Sequence, residues 1–143
     1  MRRHLPVLVF VLLQPVFSFY TSVYPEDECG DTREVFYTVT ATVYHSDPRQ
    51  CDADYTITAD GSEIDTTNPS KHRWIAVSRD MLIRHGGMLD FGDTIMIEGT
   101  NSHLDGVHTV RDVMNKRYRK CIDFLVSKND IYGKWEGVKV AKI

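Results

Sequence analysis

The stretch Val35-Phe-Tyr-Thr-Val-Thr-Ala-Thr-Val-Tyr44 consists of β-branched and aromatic residues, with a single alanine and no glycine or proline. Such a run is typical of a β-strand, and its length suits a strand that crosses a whole small sheet. We therefore expect a β-rich domain that begins at about this point of the chain.

Shorter segments of the same character follow along the chain. No helical period extends beyond about two turns, so the sequence predicts at most one or two short helices. The candidates are a single helical turn over Arg79–His85 and a turn or short helix over Ser127–Tyr132. Six or seven short strands in a domain of this size indicate a barrel or a sandwich. The predicted strands after the first are Asp54–Ala59, Trp74–Ser78, Thr94–Glu98, Val107–Val113, Cys121–Val126 and Val138–Ala141.

A long polar stretch, residues 45–73, follows the first strand and contains Pro48, Gly61 and Pro69. It offers few apolar side chains to a core. Loops of this length in a small domain are more often functional than idle, so we expect part of this one to border a cleft.

The first residues of the chain have the pattern of a secretory signal. Arg2 and Arg3 precede an apolar run from Leu5 to Leu13, which is too short to span a membrane. We expect a signal peptide over residues 1–18, a polar leader over 19–34 and one domain over 35–143. The protein is then exported, with no stable membrane insertion after the signal is cleaved.

Composition and charge exclude several classes of protein. Of the 143 residues, 42% are hydrophobic and 26% are charged, which is typical of neither a disordered nor a fibrous chain. The net charge is −3, and removing Arg2 and Arg3 with the signal makes it −5. An acidic domain has no positive field to attract phosphates, so nucleic acid is not an expected partner.

The cysteines and histidines do not predict a metal site. Cys29, Cys51 and Cys121 include no C-x-x-C pair, and the histidines show no H-E-x-x-H or comparable spacing. The three cysteines allow either one disulfide and one free thiol or three free thiols. We expect neither a metal nor another cofactor.

Two aspartates form the strongest candidate site. Asp112 lies at the end of one predicted strand and Asp123 near the start of the next. Ile122 and Phe124 share one face of that strand, so Asp123 points to the other face. If the two strands are neighbours, the carboxyls lie close and each raises the pKa of the other, which suits a general acid. The alternative on spacing alone is that both residues cap turns.

From Thr38 to Ile143 the chain resembles the 3D (Asp-Asp-Asp) domain, the double-psi β-barrel of membrane-bound lytic murein transglycosylase A and related cell-wall proteins. Asp112 and Asp123 are eleven residues apart, as in the D-x-G-G-x-I-K-G-x-x-I-D motif of that family. The other similar segments are Thr40-Ala-Thr-Val-Tyr44, Thr58-Ala-Asp-Gly61, Trp74-Ile-Ala-Val-Ser78, Phe91-Gly-Asp-Thr-Ile-Met-Ile97 and Gly133-Lys-Trp-Glu-Gly137.

The resemblance implies a six- to seven-stranded double-psi barrel that acts on peptidoglycan. Asp123 falls on the family's catalytic acid/base and Asp112 on its supporting aspartate. The implied reaction is non-hydrolytic cleavage of the β-1,4 bond between N-acetylmuramic acid and N-acetylglucosamine. The resemblance also implies a monomer located in the periplasm or cell envelope of a bacterium. The expected substrate-binding residues are Thr58, Ser78, Asp80, Asn115, Tyr118 and Lys120.

The sequence departs from the family pattern at two places. Ser78 stands where the family has its first aspartate, and Val113-Met-Asn115 replaces its glycine-rich turn. A non-catalytic glycan-binding module, as in expansin-like barrels, is therefore the alternative function, and a β-1,4-glucan hydrolase is a third. The basic segment Lys116–Lys120 either binds stem-peptide carboxylates or is a solvated loop tip.

Overall fold

Six β-strands make up most of the regular structure in the computed structural model, which describes residues 37–47, 54–130 and 132–143. The predicted signal peptide and leader lie outside the described residues, as do Cys29 and Cys51. The strands are β1 Tyr37–Tyr44, β2 Trp74–Val77, β3 Thr94–Glu98, β4 Gly106–Val113, β5 Cys121–Leu125 and β6 Trp135–Lys142.

The strands close into a barrel in the order β1-β5-β2-β4-β3-β6. Two pairs are parallel, β1 with β5 and β2 with β4, and the other four are antiparallel. Exchanging β1 with β4, β2 with β5 and β3 with β6 leaves every pairing unchanged, so the two halves of the barrel are related by a pseudo-two-fold. The predicted mainly β barrel is confirmed, with six strands and the crossed parallel pairs of a double-psi arrangement.

The helical content of the described residues is limited to short 3-10 turns. Arg79–His85 forms two separate 3-10 turns, Arg79–Met81 and Ile83–His85, and a third turn that was not predicted spans Pro69–His72. Residues 128–130 form a turn. No helix in the described ranges is long and apolar enough to cross a membrane.

One predicted strand is wrong. Asp54–Ala59 contributes only a single bridge, between Ile57 and Glu63, because the chain turns back on itself at this point. The turn closes where the Thr58 N–H donates to the Ser62 carbonyl at 2.9 Å, and Gly61 takes the positive φ of 87° that it needs. This segment is therefore a loop, and it lies against β4, where the Asp60 N–H donates to the Arg111 carbonyl at 3.3 Å.

Alternating apolar side chains from all six strands fill the barrel. On β5, Ile122 and Phe124 are at most 1% exposed, and Val126 beyond its end is equally buried. Asp123 between them faces the opposite side of the strand, as period-two alternation requires. Other fully buried members of the core include Ile75, Val77, Ile95, Ile97, Val110 and Val138.

The 3-10 segment after β2 is packed against its own backbone. The Met81 carbonyl accepts hydrogen bonds from the N–H groups of Met88 at 3.1 Å and Leu89 at 3.0 Å. Gly87 lies directly against this carbonyl: a Cβ on Gly87 would stand 2.1 Å from both the carbonyl carbon and the oxygen of Met81. Only glycine fits at this position.

Candidate active site

Four residues on adjacent strands lie in one row across the barrel wall. Thr42 on β1 pairs with Asp123 on β5, Asp123 pairs with Ala76 on β2, and Ala76 pairs with Asp112 on β4. Residues in register on neighbouring strands project on the same face. Thr42, Asp123 and Asp112 therefore point to one side of the wall, across the small side chain of Ala76.

The condition that β4 and β5 are neighbours is not met in the barrel. β2 lies between them, because the connection after β4 crosses over instead of forming a hairpin. The aspartates are two strands apart, which places their backbones about 10 Å from one another at ordinary strand spacing. The row still brings both carboxyls to the same site.

The site is a cleft of about 640 Å³. Its walls come from Ala76, Asp112 and Asp123 of the row, from the loop of residues 54–64 and from the segment that follows β4. The residues that line it are Val43, Tyr44, Asp54, Tyr55, Ile57, Thr58, Ala59, Ile64, Ala76, Arg79, Asp112, Val113, Met114, Asn115, Arg117, Tyr118 and Asp123.

Burial dominates the electrostatics of Asp123. It raises the pKa of this carboxyl to about 6, from an ordinary value of 3.8. The hydroxyl of Thr42 donates to Oδ1 at 2.8 Å and works in the opposite direction, because it favours the ionised form. The nearby charge of Asp112 raises the pKa further. Asp123 can therefore exist in either protonation state near neutral pH.

Asp112 is held in a different environment. Its Oδ1 accepts from the backbone N–H groups of Ala59 at 3.0 Å and Val113 at 2.8 Å, and Oδ2 accepts from the Tyr44 hydroxyl at 3.2 Å. Burial raises the pKa of Asp112, these three donors lower it, and the charge of Asp60 raises it. Three donors favour ionised Asp112 and one favours ionised Asp123. Asp123 is thus the carboxyl that keeps its proton to higher pH.

The cause of the raised pKa values differs from the one expected from the sequence. Mutual repulsion between the two aspartates was the predicted cause. Desolvation is the larger effect for both carboxyls, and the like charge that acts on Asp112 is that of Asp60. The direction of the predicted shift is nevertheless the same.

Replacing Thr42 by Val is expected to raise the pKa of Asp123 above 6. Losing one hydrogen bond of about 0.5–1.5 kcal/mol corresponds to a shift of up to about one pH unit. An NMR titration of the Asp123 carboxyl measures it. Thr40→Val makes the same chemical change two residues earlier on β1 and should leave this pKa unchanged. An Asp123 pKa that stays at 6 or falls in Thr42→Val would contradict the assigned hydrogen bond.

Three of the six predicted substrate-binding residues line the cleft: Thr58, Asn115 and Tyr118. Thr58 is only 4% exposed, and its hydroxyl donates to Asp60 at 2.6 Å, so it mainly fixes the loop. Asn115 starts a turn in which its Oδ1 accepts from the Arg117 N–H at 3.2 Å. Tyr118 is 38% exposed and offers its ring to the cleft.

The other three, Ser78, Asp80 and Lys120, are not among the residues that line the cleft. Ser78 is fully buried, and its hydroxyl accepts from the Cys121 N–H at 3.1 Å, so it ties β2 to β5. The Asp80 carboxylate accepts from the Lys120 N–H at 3.1 Å. These residues brace the start of β5, the strand that holds Asp123.

Sequence reasoning missed Thr42 and Arg79 as residues of the site, and it included Arg117 only as a member of the basic segment Lys116–Lys120. Thr42 belongs to a recognisable strand, but only the pairing of β1 with β5 shows that it faces Asp123. The two arginines enter the cleft from segments that are distant in sequence. No local pattern distinguishes Arg79 from an ordinary surface arginine, whereas Arg117 belongs to a visible basic run.

A metal centre is not formed by the residues that the structure describes: no three His, Cys, Asp or Glu side chains come together among them. Cys121 is half-buried, and its thiol donates to the Arg119 carbonyl at 3.1 Å. A scan against protein-family models and a search of curated proteins both found no match to this chain.

Proposed function

We propose that this protein is an exported, peptidoglycan-active enzyme of the lytic transglycosylase type. In this proposal Asp123 acts as a single acid/base on the β-1,4 bond between N-acetylmuramic acid and N-acetylglucosamine. The observation that supports it most is a cleft carboxyl, Asp123, whose pKa is raised to about 6, facing the same side of the barrel wall as Asp112, whose oxygens accept from three donors. A general acid works best when its pKa lies near the working pH. Export rests on the pattern of residues 1–18.

Both proton transfers can use the same oxygen of Asp123. The protonated carboxyl first donates its proton to the glycosidic oxygen as the bond from that oxygen to the anomeric carbon breaks. The resulting carboxylate then accepts the proton of the muramyl 6-hydroxyl as the hydroxyl oxygen attacks the anomeric carbon. The products are a 1,6-anhydro sugar and a free 4-hydroxyl. No water is consumed, and Asp123 ends protonated as it began.

Asp112 suits an electrostatic role in this reaction. Positive charge develops at the anomeric carbon in the transition state, and an ionised carboxylate on the same face favours it. A hydrolase would instead need a second carboxylate that is free to activate water or to attack the sugar. Three donors already occupy the oxygens of Asp112. This favours a transglycosylase over a hydrolase.

Mass spectrometry of purified murein after incubation with the protein tests the proposal. Soluble fragments that end in 1,6-anhydro-muramic acid are the expected result. Fragments with reducing ends would instead identify a hydrolase. Unchanged murein that carries the protein into the pellet would identify a glycan-binding module, and either of these results would overturn the proposal.

A further inference from the structure

Two arginines line the same cleft as Asp123, on its solvent-exposed rim. Arg79 is the first residue of the 3-10 turn that follows β2, and Arg117 lies in the segment between β4 and β5. Both side chains belong to exposed residues. They are the only cationic residues among those that line the described cleft.

Neither arginine is neutralised by a carboxylate of the described chain. The ion pairs within residues 37–47, 54–130 and 132–143 join other residues, for example Arg111 with Asp60 at 3.0 Å. The carboxylates of the cleft have other donors. Asp54 accepts from the Thr56 hydroxyl at 2.7 Å, and Asp112 accepts from three donors. Both cleft-lining arginines therefore carry a charge that no carboxylate of the described residues pairs with.

Arg117 is held in place before any ligand arrives. A terminal guanidinium nitrogen donates to the Tyr118 hydroxyl at 2.8 Å, and the guanidinium carbon lies 4.8 Å from the centre of the Tyr118 ring. The turn begun by Asn115 fixes the backbone of Arg117. A guanidinium that is already ordered loses less conformational entropy on binding an anion.

We propose that Arg79 and Arg117 bind a carboxylate of the substrate, so that the cleft selects anionic over neutral β-1,4-linked glycans. This inference rests on the proposed function, since it names the substrate class of the same site. The planar fork of a guanidinium matches the two oxygens of a carboxylate. Peptidoglycan carries carboxylates on its lactyl ether or its stem peptides, whereas chitin carries none.

The arginines also offset the repulsion between an anionic substrate and the acidic residues of the site. Asp112 repels an anionic substrate, and nearby Asp60 adds to the negative potential. A carboxylate placed at the arginines lies at the cationic rim instead. The binding of that carboxylate orients the sugar while leaving the glycosidic oxygen to Asp123.

Binding measurements with the full chain carrying Asp123→Asn test the inference without turnover. The three fluorescent probes are a murein glycan with stem peptides, the same glycan stripped to free lactyl carboxylates, and a chitin oligosaccharide of equal length. We expect at least one carboxylate probe to bind about tenfold more tightly than chitin, with Arg79→Ala and Arg117→Ala each removing most of that difference. Arg119→Ala, the matched control outside the cleft, should not change binding.

The pattern across the probes also identifies the carboxylate. Selective binding of the stripped glycan assigns it to the lactyl group, and selective binding of the peptide-bearing glycan assigns it to the stem. Equal binding of all three probes, no binding at all, or equal losses in Arg119→Ala would overturn the inference.

The two proposals can fail separately. If the wild-type protein cleaves murein but the arginine variants bind the carboxylate probes normally, only the inference about the arginines is overturned. If binding of a carboxylate-bearing glycan depends on the arginines but the wild-type protein does not cleave murein, only the proposed reaction is overturned.

Discussion

Cleavage of murein is expected to fall by about 10²–10⁴-fold when Asp123 is replaced by Asn, because the amide can neither donate nor accept the proton that the reaction moves. Asn has nearly the same shape and keeps an oxygen for the Thr42 hydroxyl, which donates at 2.8 Å in the native site. Release of soluble anhydro-muropeptides per unit time is the measurement. The loss should appear in kcat more than in KM, since the residue acts on the transition state.

A stability measurement and a control variant distinguish this loss of activity from simple unfolding. The folded pKa of Asp123, about 6, lies above the ordinary value of 3.8, so ionisation of Asp123 costs stability as the pH rises from about 4 to 6. Above pH 6 that cost is complete, and Asp123→Asn should therefore be more stable than wild type by about 1–3 kcal/mol. Glu136→Gln, which removes an exposed carboxylate of β6, is the matched control for activity. Murein cleavage by Asp123→Asn at the wild-type rate would contradict the assigned role.

Gly87→Ala is expected to destabilise the protein by about 3 kcal/mol or more, which would make it one of the most damaging single-methyl additions in the chain. The new Cβ would lie 2.1 Å from the backbone carbonyl of Met81, and backbone cannot move aside as a flexible side chain does. Relief requires breaking the two hydrogen bonds that this carbonyl accepts from Met88 and Leu89. Chemical denaturation followed by circular dichroism measures the loss.

The preceding residue provides the control. Gly86 has a φ of 90° and nothing within 4 Å of an added Cβ, so Gly86→Ala meets backbone strain without a clash. The strain costs about 1–2 kcal/mol. If Gly86→Ala were the more damaging of the two, the close contact at Gly87 would not be the governing constraint.

Most strands could be predicted because they are marked locally by runs of β-branched and other apolar residues. β6 was predicted only over Val138–Ala141 but runs over Trp135–Lys142, since Glu136 and Gly137 interrupt its apolar pattern. β3 runs over Thr94–Glu98 as predicted, and β4 and β5 differ from their predicted bounds by one residue each. The segment 54–59 misled the prediction because Thr56 and Thr58 have the composition of a strand. Their hydroxyls instead bond to the nearby carboxylates of Asp54 and Asp60, which stabilises turns.

The candidate site was less accessible to sequence reasoning. Alternation along β5 gave the direction of Asp123, but the insertion of β2 between β4 and β5 depends on contacts across the whole barrel. The burial of Ser78 could not be predicted from the sequence for the same reason. A serine at the end of a strand can face a substrate or be buried, and only the pairing with Cys121 decides that it is buried.

The crossed connections of the barrel have a consequence for how the protein matures. β1 pairs only with β5 and β6, so its place in the wall does not exist until those late strands have formed. Thr42 and Asp123, 81 residues apart, meet at that closing seam. Contacts of such long range form slowly, since the loop entropy must be lost first. Until this seam closes, Asp123 is a solvated carboxyl, so the burial that raises its pKa to about 6 develops only when the barrel is complete.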